Sequence, residues 1–212
     1  MFLEIENLKK SYGENLVLNN LSFKIEKNSM TSIIGESGCG KSTLMNILGF
    51  LDEFDSGDYK ILEHKNVNPH GKTAMLIRRK TIGFLYQNYA LIDQLSVYEN
   101  LKIATKYNTE WKKQENKVRM EEILELVNLK KEYLEKKVYE LSGGEQQRVA
   151  IARLIIKPCS LILADEPTGS LDTKNKNIVL NLLCELNKRN KTIIIVTHDM
   201  DTKNICTNSI MI

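Results

Sequence analysis

The chain has 212 residues, 42% hydrophobic and 27% charged, enough to bury one α/β core with an insertion and ordinary for a globular protein. The 30 Lys and Arg against 27 Asp and Glu leave a net charge of +3, too mild to bring in nucleic acid as a partner. Four scattered cysteines, Cys39, Cys159, Cys184 and Cys206, make no Cys-x-x-Cys pair and no zinc spacing, which argues against a disulfide framework and for a reducing, cytoplasmic compartment.

At the N-terminus, "MFLEIENLKK" lacks the basic-then-apolar pattern of a signal peptide. The longest apolar runs, about five residues, fall far short of the roughly 20 that a membrane helix needs. If the protein works at a membrane, another chain is expected to span it. Apolar and polar residues alternate around Leu3 and Ile5 and again at Leu21, Phe23 and Ile25, a period of two that predicts antiparallel strands. The runs "TSIIG", "LILAD" and "TIIIVTHD" do not alternate. They predict parallel strands buried on both faces and joined by right-handed helical crossovers.

Directly after the first of those runs comes Gly35-Glu36-Ser37-Gly38-Cys39-Gly40-Lys41-Ser42, a full match to G-x-x-x-x-G-K-[ST]. Glycines let backbone N–H groups wrap a phosphate closely. The helix expected from Lys41 adds its positive end, the Lys41 amine reaches phosphate oxygens, and the Ser42 hydroxyl can ligate Mg²⁺. A glycine turn with a chance lysine is the alternative, and the strand–loop–helix frame argues against it. This loop, with Thr43 behind it, is expected to bind nucleotide.

Between Gln87 and Pro158 the pattern turns helical. Ser96 and Glu99 stand at capping-box spacing, and Met120, Ile123, Leu124 and Val127 make one apolar helix face. The lysines and glutamates from Trp111 to Glu140 predict a solvated helical surface. In "ELSGGEQQRVAIAR", Ser142 and Glu145 again cap a helix. Gly143 and Gly144 just inside it are unfavourable by roughly 1 kcal/mol each. Bare N–H groups there would admit an anion, so a second phosphate site is expected at Ser142, Gly143 and Gly144.

Two strand ends supply the chemistry. "LILADE" brings Asp165 and Glu166, and "TIIIVTHD" brings His198, to the carboxyl edge where open α/β sheets bind ligands. Asp165 is placed to hold Mg²⁺ with Ser42, Glu166 to accept a proton from water, and His198 to donate to a terminal phosphate.

The phosphate loop, "LSGGE" and "LILADEPTGSLD", in this order, resemble the nucleotide-binding subunit of ABC transporters. The resemblance covers essentially the whole chain. It implies ATP and Mg²⁺ as cofactors and an α/β P-loop NTPase (RecA-like) core with an antiparallel β subdomain and an inserted helical subdomain. The division would be 1–86 and 159–212 for the core and 87–158 for the helical part. By resemblance, Tyr12 stacks on adenine beside Val17, and Gln87 touches Mg²⁺ and the attacking water. Ser170, Leu171 and Asp172 would lie at a dimer interface. It further implies a head-to-tail dimer with a second copy, each ATP held between one chain's phosphate loop and the other's Ser142. A separate membrane permease would be driven from the inner face of the membrane, with no nucleic acid involved.

"STLMNILGFLDEFDSGDYKI" and "YQNYALIDQLSVYENL" resemble the branch serving lipoprotein release, macrolide export and peptide or bacteriocin export, and "YQNYALID" leans toward the last. Asn28 stands where the family often has glycine, and asparagine tolerates the left-handed conformation such a turn needs. Thr207-Asn208 replaces an acid–arginine pair, and Ile212 falls before the usual closing hairpin, with no C-terminal regulatory domain expected. Two rivals remain: a non-transport relative acting on nucleic acid or ribosomes, and a nucleotide-binding regulator with little turnover. A single phosphate loop without coiled-coil arms or cysteine pairs argues against the first, and intact Glu166 and His198 against the second.

Overall fold

The computed structural model describes residues 1–106, 108, 111 and 116–212. The alternating N-terminal segment forms β1 (Leu3–Tyr12) and β2 (Asn15–Ile25), antiparallel from Leu3 opposite Ile25 to Tyr12 opposite Asn15. β4 (Ser56–Ile61) pairs antiparallel with the other side of β1, and β5 (His64–Lys65) follows it, giving a sheet in the order β2-β1-β4-β5. The second sheet is parallel and runs in the order β6-β7-β8-β3-β9. Its strands are β3 (Met30–Ile34), β6 (Ile82–Leu85), β7 (Leu161–Asp165), β8 (Thr192–Val196) and β9 (Asn208–Met211). The chain is thus an α/β P-loop NTPase fold carrying an added antiparallel sheet.

Strands β7 and β8 explain why the unalternating runs belong in the middle. Leu161, Leu163, Ile194 and Val196 join a core shared with the antiparallel sheet and α1 (Lys41–Leu48). Ile162, Ala164, Ile193 and Ile195 point the other way, into a core built with the helices. Both faces are apolar because both faces are covered. Four strands escaped the sequence reading: β4, β5, β6 and β9. β6 and β9 have four residues each and β5 has two, too short for a period to show, and β4 ("SGDYKI") mixes polar residues into its pattern.

α2 (Lys72–Lys80) precedes β6; α3 (Val97–Thr105), α4 (Asn116–Leu126) and α5 (Gly143–Ile156) follow it. Both capping boxes form as the spacing requires, Ser96 with Glu99 and Ser142 with Glu145. Met120, Ile123, Leu124 and Val127 are all buried. The stretch expected as a solvated surface is only partly so. Lys117 pairs with Glu135 outside, while Leu129 turns inward after α4 and Leu134 and Val138 do so from two short 3-10 turns, Lys131–Glu135 and Val138–Glu140. Residues 107, 109, 110 and 112–115 of the expected helical insertion lie outside the described residues. α6 (Thr173–Lys188) and α7 (Met200–Asn204) complete the fold, and among the described residues no helix is long and apolar enough to cross a membrane.

Candidate nucleotide site

Parallel strands set side by side end at one edge, and the register decides what meets there. Val196 pairs with Asp165 on one side and Ile33 on the other, so the segments after β3, β7 and β8 converge. Between them lies a cleft of about 500 Å³. Its walls carry Gly35, Ser37, Gly38, Gly40, Lys41, Ser42 and Thr43 from the loop and Gln87, Asp165, Glu166 and His198 opposite, with Tyr12 and Val17 at the rim. Glu36 and Cys39 belong to the loop without lining the cleft.

Left-handed Gly38 (φ 84°) and Gly40 (φ 99°) turn the loop on itself, a conformation other residues resist. At Gly40 a Cβ would also strike Val17 and Leu18, which brings Val17 against the loop. Gly40 caps α1 without any side-chain hydrogen bond, so the helix's leading N–H groups and positive end stay open to an anion. The Lys41 ammonium folds back onto the carbonyls of Gly35 at 2.8 Å and Glu36 at 2.5 Å, bracing the loop around the space.

On the opposite wall, burial pushes the Asp165 carboxyl up and the neighbouring Glu166 charge adds to this, while Lys41 works against it. Glu166 is left-handed at φ 42°, an uncommon conformation for a side-chain-bearing residue and of the kind that clusters at functional sites. Its carboxylate meets His198 Nδ1 at 2.6 Å and accepts from the Thr197 hydroxyl at 3.2 Å. Thr197, fully buried, was not foreseen; nothing but its place before His198 marked it. Oxygen donors dominate the set: Ser42 hydroxyl, Asp165 carboxylate and Gln87 amide. Such a set fits Mg²⁺, which one or two carboxylates and substrate phosphates hold, and among the described residues no group of three or more His, Cys, Asp or Glu is placed to hold a metal ion by itself.

Ser142, Gly143 and Gly144 do not line this cleft. They open α5, where Ser142 is exposed and its hydroxyl donates to Glu145 Oε2 at 2.8 Å. Burial works to raise the Glu145 carboxyl, but hydrogen bonds from Tyr133 and Ser142 hold it below its usual range. The glycines also have a reason within the chain that the sequence did not reveal. A Cβ at Gly144 would lie 2.4 Å from the Asn175 side chain, and one at Gly143 would lie 2.7 Å from the Tyr89 hydroxyl. Their presence alone therefore does not require an anion. That Tyr89 hydroxyl also meets Ser170 at 3.3 Å, and Asp172 caps α6 by accepting from Asn175 N.

A parallel α/β sheet with a phosphate loop, an acidic pair and a histidine at its carboxyl edge defines a P-loop nucleotide-binding cassette. The sequence matches the ABC transporter family over residues 18–169, and the chain belongs to that family as its ATPase cassette. Macrolide export ATP-binding/permease protein MacB of Campylobacter jejuni is 43% identical over 198 residues, covering 92% of this chain and 30% of that protein. The chain therefore spans about a third of the length of such relatives. ABC transporter ATP-binding protein YvrO of Bacillus subtilis is 40% identical, with 94% of this chain and 88% of that protein covered. Among solved structures, the dimeric post-hydrolysis state of the ATP-binding cassette MJ0796, bound to ADP and Pi, superposes with a TM-score of 0.88 at 36% identity, covering 99% and 94% of the two chains.

Proposed function

We propose that this cassette binds MgATP in the cleft, hydrolyses it, and drives export of a peptide, bacteriocin or other amphiphile through a separate membrane permease. The carrying observation is the convergence of the braced phosphate loop with Asp165, Glu166, His198 and Gln87 on one cleft, while Ser142 stands on a capped helix outside it. A second copy, turned head to tail, would bring its Ser142, Gly143 and Gly144 to the open side. The name of the Campylobacter relative, which joins ATP-binding and permease parts, supports a permease partner and export. The work would then lie at the inner face of the cell membrane. The helical segment 87–158 would carry contact with that partner, and 1–86 with 159–212 would hold the nucleotide.

In the reaction, Lys41 and the α1 N-terminus bind the phosphates, and Tyr12 and Val17 hold the base. Ser42, Asp165 and Gln87 would hold Mg²⁺, whose charge offsets that of the phosphates. Glu166, oriented by Thr197 and His198, takes the proton from the attacking water, and His198 donates toward the terminal phosphate. Glu166→Gln tests this. It keeps the size and the magnesium ligands, so ATP should bind, while turnover should fall roughly 10²–10⁴-fold, as for loss of a general base. Dimer should then accumulate with MgATP in size-exclusion chromatography and not with ADP. Wild-type turnover by this variant would remove Glu166 from the mechanism.

A further inference from the structure

At the rim, groups that the phosphate chemistry does not use gather around Tyr12. This tyrosine ends β1 and is 49% exposed beside the cleft. A ring so exposed samples several rotamers unless neighbours hold it. Here its hydroxyl donates a short hydrogen bond to Asp52 Oδ2. Lys10, a cation only 8% exposed, sets its ammonium 4.8 Å from the ring centroid and covers one face. The same ammonium donates to Asp52 Oδ1 at 3.3 Å, so one carboxylate ties the ring's edge to the group on its face. Glu53 N donates to Asp52 Oδ1 at 2.7 Å and steadies the carboxylate in turn. Burial would raise the Asp52 carboxyl, yet these donors keep it below the ordinary range.

We infer that Asp52 and Lys10 are positioning residues that hold the Tyr12 ring as a preset platform, its uncovered face offered to the base of the bound nucleotide. The inference rests on the nucleotide-binding reading above and adds what orients the stacking ring. Fixing the ring before the ligand arrives removes an ordering cost from binding. An aromatic face stacks on any base, so the platform should strengthen binding of nucleotides broadly and not select adenine by hydrogen bonds.

Titration calorimetry of the full chain, with ATP and separately with tripolyphosphate, each with Mg²⁺, divides base from phosphates. Asp52→Ala and Tyr12→Phe both cut the tie and keep the ring. Each should weaken ATP binding about three- to tenfold, part of what a stacked base contributes, with tripolyphosphate affinity unchanged. The double variant should lose less than the sum of the two single losses, because both remove the Tyr12–Asp52 bond. Equal losses for both ligands, additive losses, or wild-type ATP affinity in Asp52→Ala would each overturn the platform. Lys41→Ala keeps the two readings apart. If it abolishes ATP binding while Asp52→Ala binds as wild type does, the platform alone fails; if it leaves ATP binding intact, the nucleotide site fails with it.

Discussion

Gly143 and Gly144 are neighbours in the chain and meet different surroundings, which separates two meanings of glycine. The atom nearest a Cβ on Gly143 is the Tyr89 hydroxyl, the far end of a side chain that can give way. Around Gly144 the Asn175 side chain closes in at 2.4–2.9 Å, and that asparagine is itself bound by Arg148 and Asp172. Gly144→Ala should therefore destabilise the fold by about 1–3 kcal/mol, in the range of overpacking, and Gly143→Ala by clearly less. Chemical denaturation of the two variants measures it, and equal losses would show that Asn175 relaxes freely. Asparagine takes glycine's conformational role elsewhere: Asn28 sits at φ 61° just before β3, as its place in the turn required.

Among the elements, the two helix starts at the candidate sites differ in what they leave open. α1 begins without a side-chain cap and faces the cleft with free N–H groups, whereas α5 begins with its box closed by Glu145. α7 shows how a short helix is held next to the chemistry. Asp199 caps it by accepting from Thr202, pairs with Lys176 of α6 at 2.7 Å, and donates its own backbone N–H to the Thr197 hydroxyl oxygen. Burial opposes the Asp199 charge, but Lys176 and Thr202 outweigh it and hold the carboxyl at about 2, below the ordinary 3.8. A depressed carboxyl adds stability above its unfolded value and loses it as pH falls toward the folded one. The stability advantage of wild type over Asp199→Asn should then be full above about pH 4 and fade between there and about pH 2. Denaturation midpoints across that range check this; an advantage independent of pH would mean that charge is not what Asp199 supplies.

At the scale of the molecule, the proposed reaction would need a second copy to bring its Ser142 to the cleft. Ser142 lies outside the cleft, exposed at the head of α5, and its hydroxyl is turned to Glu145. Ser142→Arg should leave ATP affinity of the single copy close to wild type, because no phosphate-loop contact changes. Turnover should nevertheless collapse, because a long cation blocks the approach of a second copy. Calorimetry and phosphate release on the same preparation separate the two effects, and normal turnover would rule out a site shared between copies. Within one copy the interior is divided in two: one core joins the antiparallel sheet and α1 to one face of the parallel sheet, the other joins the helices to its far face.

Local constraint is what the sequence determined by itself. The phosphate loop needs glycines at fixed steps, the capping boxes need Ser and Glu three apart, and strands covered on both faces need unbroken apolar runs; each demand acts over fewer than about a dozen residues and so leaves a visible pattern. The tertiary structure alone decided what meets across the chain. Asp52 reaches Tyr12 over 40 residues, and Thr197 reaches Glu166 over 31. Asn175 fills the space beside Gly144, and β9 enters the sheet next to β3 with only four residues. No periodicity records such pairs, because a contact made by folding constrains two distant side chains together and neither one's neighbours in sequence.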